Sequence, residues 1–210
     1  MSKDYYSYTK KSFGKWAPIY DIWTAVIPGV RQKVVGLITP KKGLNILDVC
    51  TGTGSQAFAF GKKGYDVVGI DLSGDMLKVA NKKNKYDNVK FMITDAIEMP
   101  FDNNQFDVSV ISFALHEMPL DIRKKVLAEM IRVTKPKGDV IIVDYSLPKN
   151  RIKKYLIYHF VKLYESKYYT EFIKSDIKKL IKDYGIEMER EISVIFGGAK
   201  IFKGVNEKPS

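Results

Sequence analysis

Two rhythms of apolar spacing alternate along the first 145 residues of this chain. Short solid apolar runs, each followed by a turn signal, fall at 44–49, 66–70, 89–94, 106–113 and 139–143. Runs of that length predict buried strands. Between them the spacing widens to the three-and-four step of a helix. It does so over 30–38 (Val30, Val34, Leu37, Ile38), over 55–63 with Ala57, Phe58 and Phe60 inward, and over 121–134. Ser73-Gly74-Asp75 opens a further helix with Ser73 as N-cap and Met76, Leu77 and Ala80 on its apolar side. Gly64 stands where a helix takes a left-handed cap, and Pro136-Lys137-Gly138 predicts a turn. Strands alternating with helices at this spacing predict a parallel, doubly wound sheet.

The pattern changes after Pro148. Residues 152–164 and 171–184 predict two helices joined around 167–170. Residues 186–196 and 200–205 predict two strands separated by Gly197-Gly198-Ala199, so the last strand should run antiparallel in a hairpin. The expected fold is α/β: a Rossmann-like, doubly wound, mostly parallel seven-stranded sheet with an antiparallel C-terminal hairpin strand. The aromatic opening (Tyr5, Tyr6, Tyr8, Phe13, Trp16, Tyr20 and Trp23) should fold onto the body, and 207–210 should fray.

Composition narrows the class. A chain of 210 residues with 45% hydrophobic and 28% charged residues is most simply one globular domain. No apolar run approaches the roughly 20 residues that span a bilayer, and the N-terminus has no signal-peptide core. A single cysteine, Cys50, excludes an internal disulfide and reads as a packing residue. The two histidines, His116 and His159, lie far apart without zinc-ligand spacing, so no metal is expected. These features point to the cytoplasm. The formal charge of +11 comes mainly from lysines scattered over every helix, which reads as solvated faces rather than a nucleic-acid surface.

The chemistry concentrates at strand ends. Leu47-Asp48-Val49-Cys50-Thr51-Gly52-Thr53-Gly54 ends an apolar run in a carboxylate and a glycine turn, and Gly69-Ile70-Asp71-Leu72-Ser73 ends the next run in another. Gly52 to Ala57 also fits the dinucleotide pattern, with Asp71 where a ribose-binding acid would stand, so a nicotinamide oxidoreductase competes. Asp48 counts against it, because a carboxylate before the glycines repels a pyrophosphate but welcomes an ammonium group. Asp95, in Thr94-Asp95-Ala96, can accept from an adenine amine, with Ile97 and Leu72 packing on the ring. A cationic amino-acid end, a ribose and an adenine held by carboxylates on successive strands describe S-adenosylmethionine.

With these motifs the chain resembles the class I S-adenosylmethionine-dependent methyltransferases. The matching stretches are 47–54, 69–77, F-M-I-T-D-A-I-E-M-P-F at 91–101, F-D-V-S-V-I-S-F-A-L-H-E at 106–117 and R-V-T-K-P-K-G at 132–138. The entry A-P-I-Y-D at 17–21 and the ending F-G-G-A-K-I-F-K-G at 196–204 are similar to the C-methyltransferases of ubiquinone and menaquinone biosynthesis. That branch usually reads F-G-L-R-N where this chain has F-A-L-H-E. Phospholipid and other small-molecule N- or O-methyltransferases share the core motifs.

The resemblance implies a cofactor, S-adenosylmethionine, with S-adenosylhomocysteine as product. It implies that Asp48, Thr51, Gly52, Thr53 and Gly54 line the methionine end and that Asp71 takes the ribose hydroxyls. Leu72 and Met76 would pack nearby, and Asp95, Ala96 and Ile97 would meet the adenine. Ser112 and Phe113 would border the methyl group, and Tyr20 would close the cofactor from the N-terminal side. One domain, 1–210, would then comprise an N-terminal lid (1–28), a cofactor-binding core (29–147), a helical substrate cap (148–185) and a hairpin (186–205).

No covalent nucleophile is required, because the sulfonium already makes the methyl group electrophilic and the protein mainly excludes water and aligns the acceptor. Where a proton must leave, His116 is the candidate base, with Glu117 behind it. His159 falls on the stripe Ile152, Leu156, Phe160 and Leu163, which reads as core or pocket lining. The cap's aromatics favour an apolar acceptor. Lys153, Lys154, Lys162 and Lys167 make the first cap helix a candidate for resting on an acidic membrane. Nucleic-acid methylation is disfavoured, since no N-P-P-Y-type tetrad follows the fourth strand. A cofactor-binding regulator without catalysis is the non-enzymatic alternative. Acceptor identity and oligomeric state are not readable from the sequence.

Overall fold

A computed structural model describes Tyr5, Tyr6 and residues 28–163 and 165–207. Its elements run in the order α1 (Pro28–Val35), β1 (Asn45–Val49), α2 (Ser55–Gly61), β2 (Asp66–Asp71), α3 (Gly74–Lys83), β3 (Val89–Ile93) and β4 (Phe106–Ser112). There follow α4 (Leu120–Val133), β5 (Thr134–Tyr145), α5 (Arg151–Lys162), α6 (Tyr169–Lys174), α7 (Ile177–Asp183), β6 (Ile186–Val194) and β7 (Ala199–Asn206). Short 3-10 turns at Leu115–Glu117 and Ile195–Gly197 precede α4 and β7.

The seven strands form one sheet in the order β3-β2-β1-β4-β5-β7-β6. The first five pair parallel, and β7 pairs antiparallel with both β5 and β6. This is the expected sheet, with its antiparallel hairpin. Successive side chains of β1 feed opposite faces. Leu47 and Val49 join a core with Ile111, Leu127 and Met130, while Ile46 joins one with Val34, Phe60 and Ile141. Both faces being covered, the strands read as solid apolar runs rather than alternating ones.

Local chemistry sets several boundaries. Ser73 caps α3 by accepting from the Met76 N–H at 3.3 Å. Gly64 takes φ 82° behind α2, as expected of a helix stop. Three expectations need correction. The turn at 136–138 lies inside β5, where the register against β4 shifts between Phe106 and Val108. Gly138 fits there because a Cβ would stand 2.8 Å from the Asp107 carbonyl oxygen. The single helix expected over 171–184 is two, because the Ser175 hydroxyl donates to the Phe172 carbonyl and Asp176 caps a new helix at the Lys179 N–H. The stripe Ile152, Leu156, Phe160 and Leu163 is 60–85% exposed instead of buried.

Of the aromatic opening, Tyr5 is buried and packs edge-to-face on Tyr168 at 6.2 Å between centroids. Tyr8, Phe13, Trp16, Tyr20 and Trp23, and with them most of the expected lid, lie outside the described residues.

Candidate active site

The parallel strands deliver their carboxyl ends to one edge of the sheet, and β1 and β4 diverge there to opposite sides. That divergence leaves the crevice in which open α/β sheets bind ligands. A cavity occupies it, lined by Tyr5, Cys50, Gly52, Ile70, Asp71, Leu72, Met76, Thr94, Asp95, Ala96, Phe113, Ala114, Glu117, Met118, Ile122 and Val126.

The turn after β1 is wound in the left-handed region at Cys50 (φ 55°), Gly52 (φ 56°) and Gly54 (φ 81°). Gly54 is doubly constrained, because a Cβ would also stand 2.7 Å from the Phe91 ring. Asp71, at the end of β2, fixes this turn from outside. Its Oδ2 accepts the Gly52 N–H and its Oδ1 accepts the Ser73 N–H, each at 2.8 Å. A carboxylate has about four acceptor positions, so with the Leu72 N–H also acting on it Asp71 keeps acceptor capacity for a ribose hydroxyl in the cavity. Burial raises the Asp71 carboxyl above its ordinary value despite those donors.

Asp48 lies beneath the turn, 1% exposed, and is not part of the cavity wall. Its Oδ2 accepts the Thr51 hydroxyl at 2.5 Å. Burial pushes its carboxyl up to about 7, against the Thr51 and Ala57 hydrogen bonds, and the Asp71 charge adds to the rise. Thr51, Thr53 and Gly54 shape the turn without lining the cavity. Cys50 does line it, but burial and the neighbouring carboxylates raise its thiol, so it is no nucleophile.

Leu72, Met76 and Ala96 form an apolar wall beside Asp95, whose Oδ1 accepts the Ile97 N–H at 3.1 Å. Ile97 itself does not line the cavity but packs against the core. Burial, then the Asp95 carboxylate, raises the Tyr6 phenol. At the far end Phe113 (φ 51°) borders the cavity, while Ser112 keeps a buried hydroxyl with no hydrogen-bond partner among the described residues. Tyr20 falls outside the described residues.

His116 stands apart from the cavity wall. It is 3% exposed and does not line the cavity; Glu117 does. Its Nδ1 stands 2.7 Å from Asp144 Oδ1 and its Nε2 3.1 Å from Glu165 Oε2, with Glu117 Oε1 at 3.6 Å. Both ring nitrogens are therefore engaged below the cavity wall. Burial alone would lower the imidazole's pKa, but the Asp144 charge and the three carboxylate contacts outweigh it and hold it well above the ordinary value. Burial, and the Glu165 carboxylate beside it, raise Glu117. Tyr145 completes the group by donating its hydroxyl to Glu165 Oε1 at 2.8 Å.

Asp144, Tyr145 and Glu165 carried no motif. Asp144 ending β5 as Asp48 ends β1 was the one available signal. Arg123, fully buried, ties the far end together: its Nε donates to the Met118 carbonyl at 2.8 Å and its Nη2 pairs with Glu171 of α6 at 3.1 Å.

These residues fit S-adenosylmethionine. Asp71 and Asp95 keep acceptor capacity toward the cavity, Leu72, Met76 and Ala96 offer a flat apolar surface, and Ser112 keeps an unused hydroxyl. A dinucleotide-binding sheet would follow the order 3-2-1-4-5-6, whereas here an antiparallel strand is inserted before the last position. The fold and the strand-end acids thus define an S-adenosylmethionine-dependent methyltransferase. Over residues 6–187 the chain matches the model of the ubiE/COQ5 methyltransferase family, and it belongs to that family.

A demethylmenaquinone methyltransferase of Listeria welshimeri is 32% identical, across 94% of this chain and 95% of that protein. One from Renibacterium salmoninarum is 38% identical over 65% of this chain, where the match spans 58% of the relative's length. Among solved structures, a Haloferax volcanii methyltransferase in complex with the Trm112 methyltransferase activator superposes with a TM-score of 0.75, at 19% identity, over 96% of this chain and 98% of that one. At that identity the likeness concerns the fold.

Proposed function

We propose that this protein transfers the methyl group of S-adenosylmethionine to a ring carbon of a demethylated, lipid-like quinol. The single observation that carries this reading is the end-to-end likeness to the Listeria demethylmenaquinone methyltransferase. When bound, the cofactor supplies an electrophilic methyl group. Asp71 would hold the ribose diol, Asp95 the adenine edge, and the turn from Cys50 to Gly54 the methionine end. The acceptor would enter beyond Phe113, against Met118, Ile122 and Val126, with Glu117 the ionisable group at that end among the described wall residues. An apolar wall of this kind excludes water and aligns a flat ring for in-line attack.

Assay of the purified chain with S-adenosylmethionine and a demethylated menaquinol in vesicles is expected to give a product one methyl heavier, together with S-adenosylhomocysteine. Methylation of ethanolamine phospholipids with none of the quinol would overturn the reading.

We further read α5 as the surface that meets the lipid. Among the described residues no helix is long and apolar enough to cross a membrane. Yet Ile152, Tyr155, Leu156, Phe160 and Leu163 stand 60–85% exposed at three-and-four spacing. Arg151, Lys153, Lys154 and Lys162 share this acid-free helix. Such a helix lies in the plane of an anionic interface. The double variant L156E/F160E is expected to bind anionic vesicles at least about tenfold more weakly while converting a short-chain soluble quinol at the wild-type kcat. Unchanged vesicle binding in a sedimentation assay would remove α5 from this role.

A further inference from the structure

We propose that His116 Nε2, Glu117 and Glu165 form a site for one divalent transition-metal ion at the acceptor end of the cavity. One donor atom from each lies within 4.8 Å of the other two. Two of these separations are 3.1 Å, from Nε2 to Glu165, and 3.6 Å, from Nε2 to Glu117. Donors standing about 2.0–2.2 Å from a common ion are held apart by roughly such distances.

The surrounding contacts aim these groups at one point. Asp144 accepts from the His116 backbone N–H at 3.2 Å and sits 2.7 Å from Nδ1. As a carboxylate it keeps the proton on Nδ1 when an arriving metal ion displaces the one on Nε2, and the Nε2 lone pair so freed faces Glu117 and Glu165. That carboxylate–histidine relay is the usual support of a metal-bound imidazole. Tyr145 orients Glu165 in the same way through Oε1. Glu117 Oε2 is buried with no hydrogen-bond partner among the described residues.

Charge points the same way. Three carboxylates, Asp144, Glu117 and Glu165, converge on a single imidazole, and the nearby Arg123 is already paired with Glu171. A dication relieves that mutual repulsion where a single proton on the ring relieves it only in part. One imidazole with carboxylate oxygens suits Zn2+, Fe2+, Co2+ or Mn2+ better than the soft monovalent or the large oxygen-seeking ions.

Three protein ligands leave a coordination position open, as catalytic metal sites do. Glu117 lines the cavity, so that position faces the acceptor. The acceptor class is then an aromatic ring bearing a hydroxyl beside the methylated carbon, its oxygen held on the metal. This last step rests on the quinol reading above; the metal site itself does not.

The test uses the full chain, stripped with chelator and titrated with Co2+, which reports coordination through its visible absorption. Zn2+ and Mn2+ stoichiometries are read by elemental analysis after dialysis. One equivalent bound at micromolar or tighter affinity is expected. Loss of at least about tenfold in His116→Ala and Glu165→Gln, and a smaller loss in Asp144→Asn, should follow. Should Glu165→Gln fail to fold by circular dichroism, Glu117→Gln, on the cavity wall, gives the same reading. Wild type that binds no Co2+, or binds it equally well after these substitutions, overturns the site and leaves a buried proton-sharing network. Metal bound without quinol methylation would keep the site and defeat the quinol reading. Quinol methylated by protein that binds no metal would do the reverse.

Discussion

Replacing Asp71 with alanine will lower the affinity for S-adenosylhomocysteine by at least about 100-fold, roughly 2.7 kcal/mol, in a calorimetric titration. Two losses combine. The carboxylate's open acceptor positions, which face the cavity, disappear. Its other two bonds, from Gly52 and Ser73, also disappear, so the cradle itself loosens. Hydrogen bonds to a charged acceptor contribute about 1.5–3 kcal/mol each, about 3–6 kcal/mol for the pair; the burial that raises the Asp71 carboxyl offsets part of this, so unfolding free energy should fall by about 2–4 kcal/mol as well. Asp75→Ala is the control, since that exposed side chain pairs only with Lys78 among its described ion pairs. An Asp71→Ala affinity within threefold of wild type would displace Asp71 from the cofactor.

The second large effect concerns Asp48 and pH. Its carboxyl is raised by burial from 3.8 to about 7. A raised acid is most comfortable protonated, so its contribution to stability is greatest below the unfolded value of 3.8. That contribution erodes as pH climbs and levels off above about 7. Each pH unit in that window costs about 1.4 kcal/mol. Asp48→Asn removes the charge and the slope. The stability of the variant relative to wild type should therefore improve by about 3 kcal/mol between pH 5 and pH 8. Chemical denaturation of both proteins at the two pH values measures this, and a difference independent of pH would refute it. Comparing two proteins that share every other group removes the background titration to first order.

Much of this molecule was legible in its sequence because its logic is local. Solid apolar runs marked strands covered on both faces, and acids at their ends marked the crevice. Gly64 sits at the left-handed position that the cap pattern foretold, and Gly54 in the glycine turn expected after the first strand. What escaped depended on distance. His116 was legible as a residue of interest, but its surroundings were not. Asp144 comes from β5 and Glu165 from the link between α5 and α6, 28 and 49 residues away. No periodicity records such a meeting. The break at Ser175-Asp176 was hidden because the apolar spacing carries straight through it, while side-chain bonds to the backbone interrupt the helix. For α5 the rhythm disclosed a greasy side but not what it would face.

If α5 meets the lipid as proposed, its exposed side would change what concentration means for the enzyme. A catalyst resting on a bilayer samples its substrate per unit of area, not per unit of volume. Adding inert lipid at fixed amounts of enzyme and quinol would spread both thinner and slow turnover, although nothing in the bulk solution had been diluted.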